Sequence, residues 1–265
     1  MNVTRVNGVQ LHYSVEGPAD KPVIVFSNSL GTDFRVWDRL VDRFDGRFCM
    51  VRYDKRGHGL SEVTPAPYAM DDHVDDLIGL LDHLTLDKVV VCGLSVGGMI
   101  AQGLAARQPE RMRAMILMDT AARIGTPDMW NERMAAIEKG GIEVLADPIM
   151  ERWLSARFRA EKPEETLVWR NMLTRTTQDG YLGTCAAIRD ADMTESMGKI
   201  AMPVLGIGGS EDGSTPPDLV RGTIDLIAGG RFELVEGAGH LPCVEDPDKV
   251  ASLITDFLGE NGIAR

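Results

Sequence analysis

Gly93-Leu94-Ser95-Val96-Gly97 lies between an apolar run, Val89-Val90-Val91-Cys92, and a helix-compatible segment, Gly98-Met99-Ile100-Ala101-Gln102-Gly103-Leu104-Ala105. The order reads strand, abrupt turn, helix. In that setting G-x-S-x-G describes a strained turn that lifts a serine hydroxyl above a sheet and leaves no room for side chains at the flanking glycines. Taken alone, Ser95 also fits an ordinary turn or N-cap serine. A nucleophilic reading therefore needs a base and an acid elsewhere in the chain.

Outward from this turn, apolar runs alternate with helix-period segments. Towards the N-terminus, Val9 to Val15 alternates apolar and polar residues after Asn7-Gly8, which predicts an opening antiparallel hairpin with His12 on its polar side. Val23-Ile24-Val25-Phe26 and Phe48 to Tyr53 read as buried parallel strands. The first runs into Ser27-Asn28-Ser29-Leu30-Gly31-Thr32 and a helix through Trp37, Leu40 and Val41. The second runs into Asp54-Lys55-Arg56-Gly57-His58-Gly59-Leu60-Ser61, a loop whose side chains are expected to bond local backbone. The next helix buries Val74, Leu77, Ile78, Leu81 and Leu84, and its acidic start, Asp71, Asp72, Asp75 and Asp76, reads as a solvated face.

Towards the C-terminus, Met115-Ile116-Leu117-Met118 is another strand, after which the composition changes. Residues 123–198 hold no strand-like run, three of the four tryptophans (Trp130, Trp153, Trp169), and helix starts at Thr126-Pro127, Asp147-Pro148 and Lys162-Pro163. This predicts a helical cap, residues 123–198, inserted in a core of residues 1–122 and 199–265. The alternation resumes with strands Pro203 to Ile207 and Phe232 to Val235, a helix around Leu219 to Ile227, and a last helix from Asp246-Pro247. Alternation of this kind predicts an α/β fold, a mostly parallel sheet covered by helices on both faces, with the insertion over the strands' C-terminal edge.

With 265 residues the chain can bury a full core, and a formal charge of −12 argues against nucleic acid or an anionic membrane as partner. Met1 to Val6 lacks the features of a secretion signal, and no stretch approaches a membrane span, so a cytoplasmic protein is expected. Cys49, Cys92, Cys185 and Cys243 lie too far apart in sequence for a metal or redox motif, so reduced thiols are expected. Nothing in the sequence specifies an oligomeric state.

A serine hydroxyl becomes a nucleophile when a base takes its proton and an acid holds that base in the right tautomer. Gly208-Gly209-Ser210-Glu211-Asp212-Gly213 follows one strand and Gly237-Ala238-Gly239-His240 the next. Ser95, Asp212 and His240 thus follow three strands of one parallel sheet and can converge at its edge. Glu211 is the alternative acid; the shorter Asp212, beside Gly213, is preferred. Cys243 and Glu245 read as packing and helix-start residues. An oxyanion needs two backbone N–H donors, expected from Val96 and from Leu30. The chemistry needs neither metal nor cofactor.

These residues resemble the α/β-hydrolase superfamily, through the loop from Tyr53 to Ser61, the serine turn and the His240 loop. Asn28-Ser29-Leu30-Gly31-Thr32-Asp33, Thr120-Ala121-Ala122-Arg123-Ile124-Gly125 and Cys185-Ala186-Ala187-Ile188-Arg189-Asp190 are more specific, and resemble bacterial 3-oxoadipate enol-lactonases. Two departures are Asp119, where asparagine is expected, and Leu241-Pro242-Cys243 after the histidine. The resemblance implies an eight-stranded sheet and hydrolysis of 3-oxoadipate enol-lactone in the β-ketoadipate pathway of aromatic catabolism. Such a substrate carries a carboxylate, for which Arg123, Arg133 and Arg189 are candidate receptors, with Trp130 as an apolar wall. A broader serine esterase or cofactor-free perhydrolase would share the three residues and differ in the cap. A C–C bond hydrolase is a further enzyme reading, and a hydrolase-fold binding protein without catalysis is the non-enzyme alternative.

Overall fold

The computed structural model describes residues 1–264. Eight strands form one sheet: β1 (Asn2–Val6), β2 (Val9–Glu16), β3 (Val23–Ser27), β4 (Cys49–Tyr53), β5 (Val89–Leu94), β6 (Met112–Met118), β7 (Val204–Gly209) and β8 (Arg231–Val235). Their order is β1-β2-β4-β3-β5-β6-β7-β8. β1–β2 and β2–β4 pair antiparallel, and β4 through β8 are parallel. The hairpin forms as its Asn7-Gly8 turn dictates: both residues have positive φ, and Val6 pairs with Val9.

Among the described residues, twelve α-helices flank or cap this sheet: α1 (Asp38–Val41), α2 (Met70–His83), α3 (Val96–Arg107), α4 (Pro127–Gly140), α5 (Ala146–Trp153), α6 (Ala156–Glu161), α7 (Pro163–Thr174), α8 (Gln178–Asp190), α9 (Thr194–Met197), α10 (Pro217–Ile224), α11 (Pro242–Glu245) and α12 (Pro247–Glu260). Six of them, α4 to α9, lie between β6 and β7. The proline starts at Pro127 and Pro163 hold, whereas α5 begins at Ala146, with Pro148 inside its first turn, where the missing N–H costs no helical bond. α8 starts on a different signal, the Thr177 hydroxyl accepting from Gly180 N–H. Trp130, Trp153 and Trp169 are all buried within the chain. The central strands β5 and β6 are buried along almost their whole length, as parallel strands covered on both faces must be. No helix among the described residues is long and apolar enough to cross a membrane.

Two readings of polar residues need correction. His12 is buried, not exposed on the polar side of β2, because the loop after β4 folds over that face; its Nδ1 lies 2.8 Å from Asp54 Oδ2 and its ring stacks on Phe34. The acidic start of α2 is only partly solvated. Asp76 is fully buried and bound by two nitrogens of Arg56, at 2.6 and 2.7 Å, because Arg56 of the same loop reaches under the helix.

Candidate active site

The site grows from the β5–α3 turn. Ser95 takes φ 56° and ψ −120°, left-handed backbone that an L-residue adopts only when its surroundings impose it. The imposed contacts are visible at the glycines. A Cβ at Gly93 would lie 2.2 Å from Gly97 O, and one at Gly97 would lie 1.9 Å from Ser27 O. Ser95 N–H donates to Met118 O at 3.0 Å, and the Thr120 hydroxyl donates to Ser95 O at 2.6 Å, tying the turn to the end of β6.

β7 and β8 deliver the other two groups from the same sheet edge. His240 Nδ1 lies 2.8 Å from Asp212 Oδ2, which also accepts from the Thr215 hydroxyl at 2.7 Å. Asp212 Oδ1 accepts from Ser214 N–H at 2.6 Å and Thr215 N–H at 3.1 Å. Burial alone would raise the Asp212 carboxyl, but the charge of His240 and the hydrogen bonds from His240, Thr215 and Ser214 outweigh it and hold the group below its ordinary value. Glu211, the alternative acid, points elsewhere and accepts from Ala156 N–H. With Nδ1 committed to Asp212, His240 presents Nε2 to the cavity it shares with Ser95.

Leu30 lines this cavity, and Val96 directly follows the lining residue Ser95. Val96 is the first residue of α3, so its N–H has no intrahelical partner. Leu30 lines the cavity from a loop braced on several sides: Lys55 Nζ donates to Ser29 O at 2.5 Å, the Thr32 hydroxyl donates to the same oxygen at 3.0 Å, and Gly31 N–H donates to His58 Nε2 at 3.1 Å. His58 Nε2 thus braces the distant Leu30 loop, while its Nδ1 lies 3.1 Å from Arg56 O, the local backbone contact its loop position suggests. Glu245 does more than begin a helix. Its carboxylate accepts from Gly239 N–H at 2.9 Å and Ser155 N–H at 3.1 Å, joining the His240 loop to the chain before α6.

Ser95, Leu30 and His240 open into a cavity of about 260 Å³ whose far wall comes from α4, α5 and α8: Trp130, Arg133, Ile149, Arg152, Tyr181 and Ile188. Of the arginines named from sequence, only Arg133 is there, its guanidinium 4.6 Å from the centre of the Trp130 ring. Arg123 is exposed and pairs with Asp192 at 3.5 Å. Arg189 faces outward to Asp190 and Asn131, because Ile188 takes the cavity-facing position and the next helical residue turns about 100° away. Arg152 was missed. Its only sequence signal was its place beside Trp153; Gly213 N–H donates to Arg152 O at 3.2 Å, and a Cβ at Gly213 would lie only 3.1 Å from Arg152 Cα, so glycine makes room for it. Neither Arg133 nor Arg152 forms an ion pair with an acidic side chain among the described residues.

The fold is shared with known proteins. Residues 24–253 match the model of the alpha/beta hydrolase family. The chain is 34% identical to 3-oxoadipate enol-lactonase 2 of Acinetobacter baylyi over 239 residues, 90% of this chain and 89% of that one. It superposes on the crystal structure of the enol-lactonase from Burkholderia xenovorans LB400 with a TM-score of 0.94 at 36% identity, covering 97% of this chain and 100% of the other. A thermophilic esterase from Thermogutta terrifontis, solved with malate bound, gives a TM-score of 0.92 at 26% identity, covering 98% and 99%.

Proposed function

Since this chain belongs to the alpha/beta hydrolase family, we propose that it is a carboxylic ester hydrolase that opens 3-oxoadipate enol-lactone to 3-oxoadipate through an acyl-enzyme on Ser95. The observation that carries the reading is the meeting, in one small cavity, of a serine on a strained turn, an aspartate-held histidine and two arginines without acidic partners. The names of the similar enzymes supply the substrate.

In this reading Ser95 Oγ attacks the lactone carbonyl carbon while His240 Nε2 accepts its proton. The N–H groups of Leu30 and Val96 receive the oxyanion; each such donor is worth roughly 3 to 4 kcal/mol in comparable enzymes. Collapse breaks the ring C–O bond and expels an enol oxygen, to which His240 returns the proton. The enol ketonises, and a water activated by His240 then releases the acid from Ser95. Asp212 balances the charge on His240 throughout.

Arg133, with Arg152 beside it, receives the substrate carboxylate, and the apolar walls of Trp130, Ile149 and Ile188 exclude water from the reacting carbonyl. Residues 123–198 act as a cap that sets the substrate, on a core formed by residues 1–122 and 199–265. Four free, buried cysteines suit a reducing cytoplasm, where the β-ketoadipate pathway would consume the product.

The similarity to an esterase supports a broader ester hydrolase as the second reading. Steady-state kinetics on the enol-lactone and on a panel of neutral aryl esters decides between them. Higher kcat/KM on the lactone is expected, and far faster turnover of the esters would overturn the lactonase reading. Labelling of Ser95 by an organophosphonate, absent in Ser95→Ala, separates either enzyme from a binding protein.

A further inference from the structure

Behind the Asp212–His240 pair lies a third buried polar group that the reaction above does not use. Asp119, at the end of β6, is fully buried and has φ 42°. Its Oδ1 accepts from Gly209 N–H at 2.8 Å, and its Oδ2 is buried with no partner. Asp119, Asp212 and His240 each place one polar atom within 4.8 Å of the others, and the two carboxyl groups are within hydrogen-bonding reach. Two carboxylates so close and so dry cannot both carry charge. The donors decide where the charge sits. Asp212 receives two backbone N–H groups, a hydroxyl and His240, whereas Asp119 receives one N–H and has an oxygen to spare.

We propose that Asp119 keeps a proton at neutral pH and donates it in a hydrogen bond to Asp212, so that the two carboxyls act as one singly charged pair behind His240. Asp119 is then a positioning residue: it fixes Asp212 and adds no second charge. The direction of its titration agrees, since burial first and the neighbouring Asp212 second push the Asp119 carboxyl well above its ordinary value. The arrangement also explains how aspartate serves where asparagine is expected, because a neutral carboxyl offers one donor and one acceptor on the same side chain, as an amide does. It leaves a reserve. Removing the Asp212 charge removes the second of the two causes, after burial, that keep Asp119 protonated, which lets Asp119 ionise within 4.8 Å of His240 and hold it in place of Asp212.

The proposal rests on the Ser95–Asp212–His240 reading, and its test is built to fail separately from it. Infrared difference spectra of the wild-type protein at neutral pH, taken against Asp119→Asn, are expected to show the carbonyl stretch of one protonated carboxylic acid. No such band, whether or not a divalent metal binds the cluster, would overturn the proposal. Kinetically, Asp119→Asn is expected to lower kcat only a few-fold, and Asp119→Leu about tenfold with little change in KM. In the double-mutant cycle, Asp119→Asn in an Asp212→Asn background should cost at least about tenfold more than Asp212→Asn alone. An equal kcat for the single Asp212→Asn and the double variant refutes the reserve role, while loss of activity in Ser95→Ala would still uphold the serine mechanism. The spectra need only wild type and Asp119→Asn, so they hold even if an Asp212 variant does not fold.

Discussion

Arg133 packs on Trp130 and at the same time lines the cavity. Its guanidinium lies over Trp130, and that face-on contact fixes its direction without an acid to neutralise it. In a chain of net charge −12, a cation left uncompensated in the wall of a cavity is where an anionic ligand group would find attraction. Arg133→Ala is expected to raise KM for the enol-lactone about tenfold, equivalent to ~1.4 kcal/mol, while a neutral aryl ester is turned over as before. An equal loss on both substrates would show that Arg133 supports the cap and does not receive a carboxylate. Arg123→Ala, outside the cavity and paired on the surface with Asp192, should change neither KM.

At the scale of elements, the β5–α3 turn works because two glycines let three pieces of backbone touch. Gly97 brings α3 against the end of β3, so the loop holding Leu30 and the residue after the nucleophile share one corner. Gly97→Ala is expected to destabilise the protein by about 3 kcal/mol, the range of a severe backbone clash, and to cut kcat by more than tenfold as the two N–H donors separate. Urea unfolding and steady-state kinetics check the two parts. The second strut is Glu245, which ties the His240 loop to the chain before α6. Glu245→Gln should retain the fold yet lower kcat several-fold, because one carboxylate now accepts from two backbone N–H groups that an amide oxygen serves less well. Unchanged kcat would show that the loop is held without it.

Across the whole molecule, the charged loop after β4 links the sheet to the Leu30 loop through a fully buried Lys55. Burial pulls its ammonium down to about 7, with Asp54 and Asp33 offsetting part of the effect. In the unfolded chain it titrates near 10.4. Between those values the unfolded state binds more protons, so this group makes stability rise with pH from about 7 to about 10 and adds no slope below 7. Urea midpoints of wild type and Lys55→Met at pH 7 and pH 9.5 test this: the difference, wild type minus variant, should be larger at pH 9.5. A difference independent of pH would mean that the buried amine carries the same charge folded and unfolded.

Much of this was legible in the chain because it is written locally. Strand period, glycine-flanked serine, proline helix starts and the order Ser95, Asp212, His240 are each set by a few neighbouring residues, and backbone sterics turn them into the same elements wherever they occur. The short-range choice between Glu211 and Asp212 already favoured the right carboxylate for contact with His240. Burial of polar side chains was not local. His12 and Asp76 sit at positions where periodicity predicts solvent, and only a loop arriving from elsewhere in the fold covers them. The cavity wall fared similarly: Arg133 and Trp130 were found, Arg123 and Arg189 turn away, and Arg152 enters because Gly213, distant in sequence, leaves space for it. The sequence by itself determined the α/β architecture and the three residues at the sheet edge, since these follow from hydrogen-bond period and chain order. Tertiary structure alone decided which arginines face the cavity and which buried polar groups lie against His240, because both depend on distances between segments that no local pattern encodes.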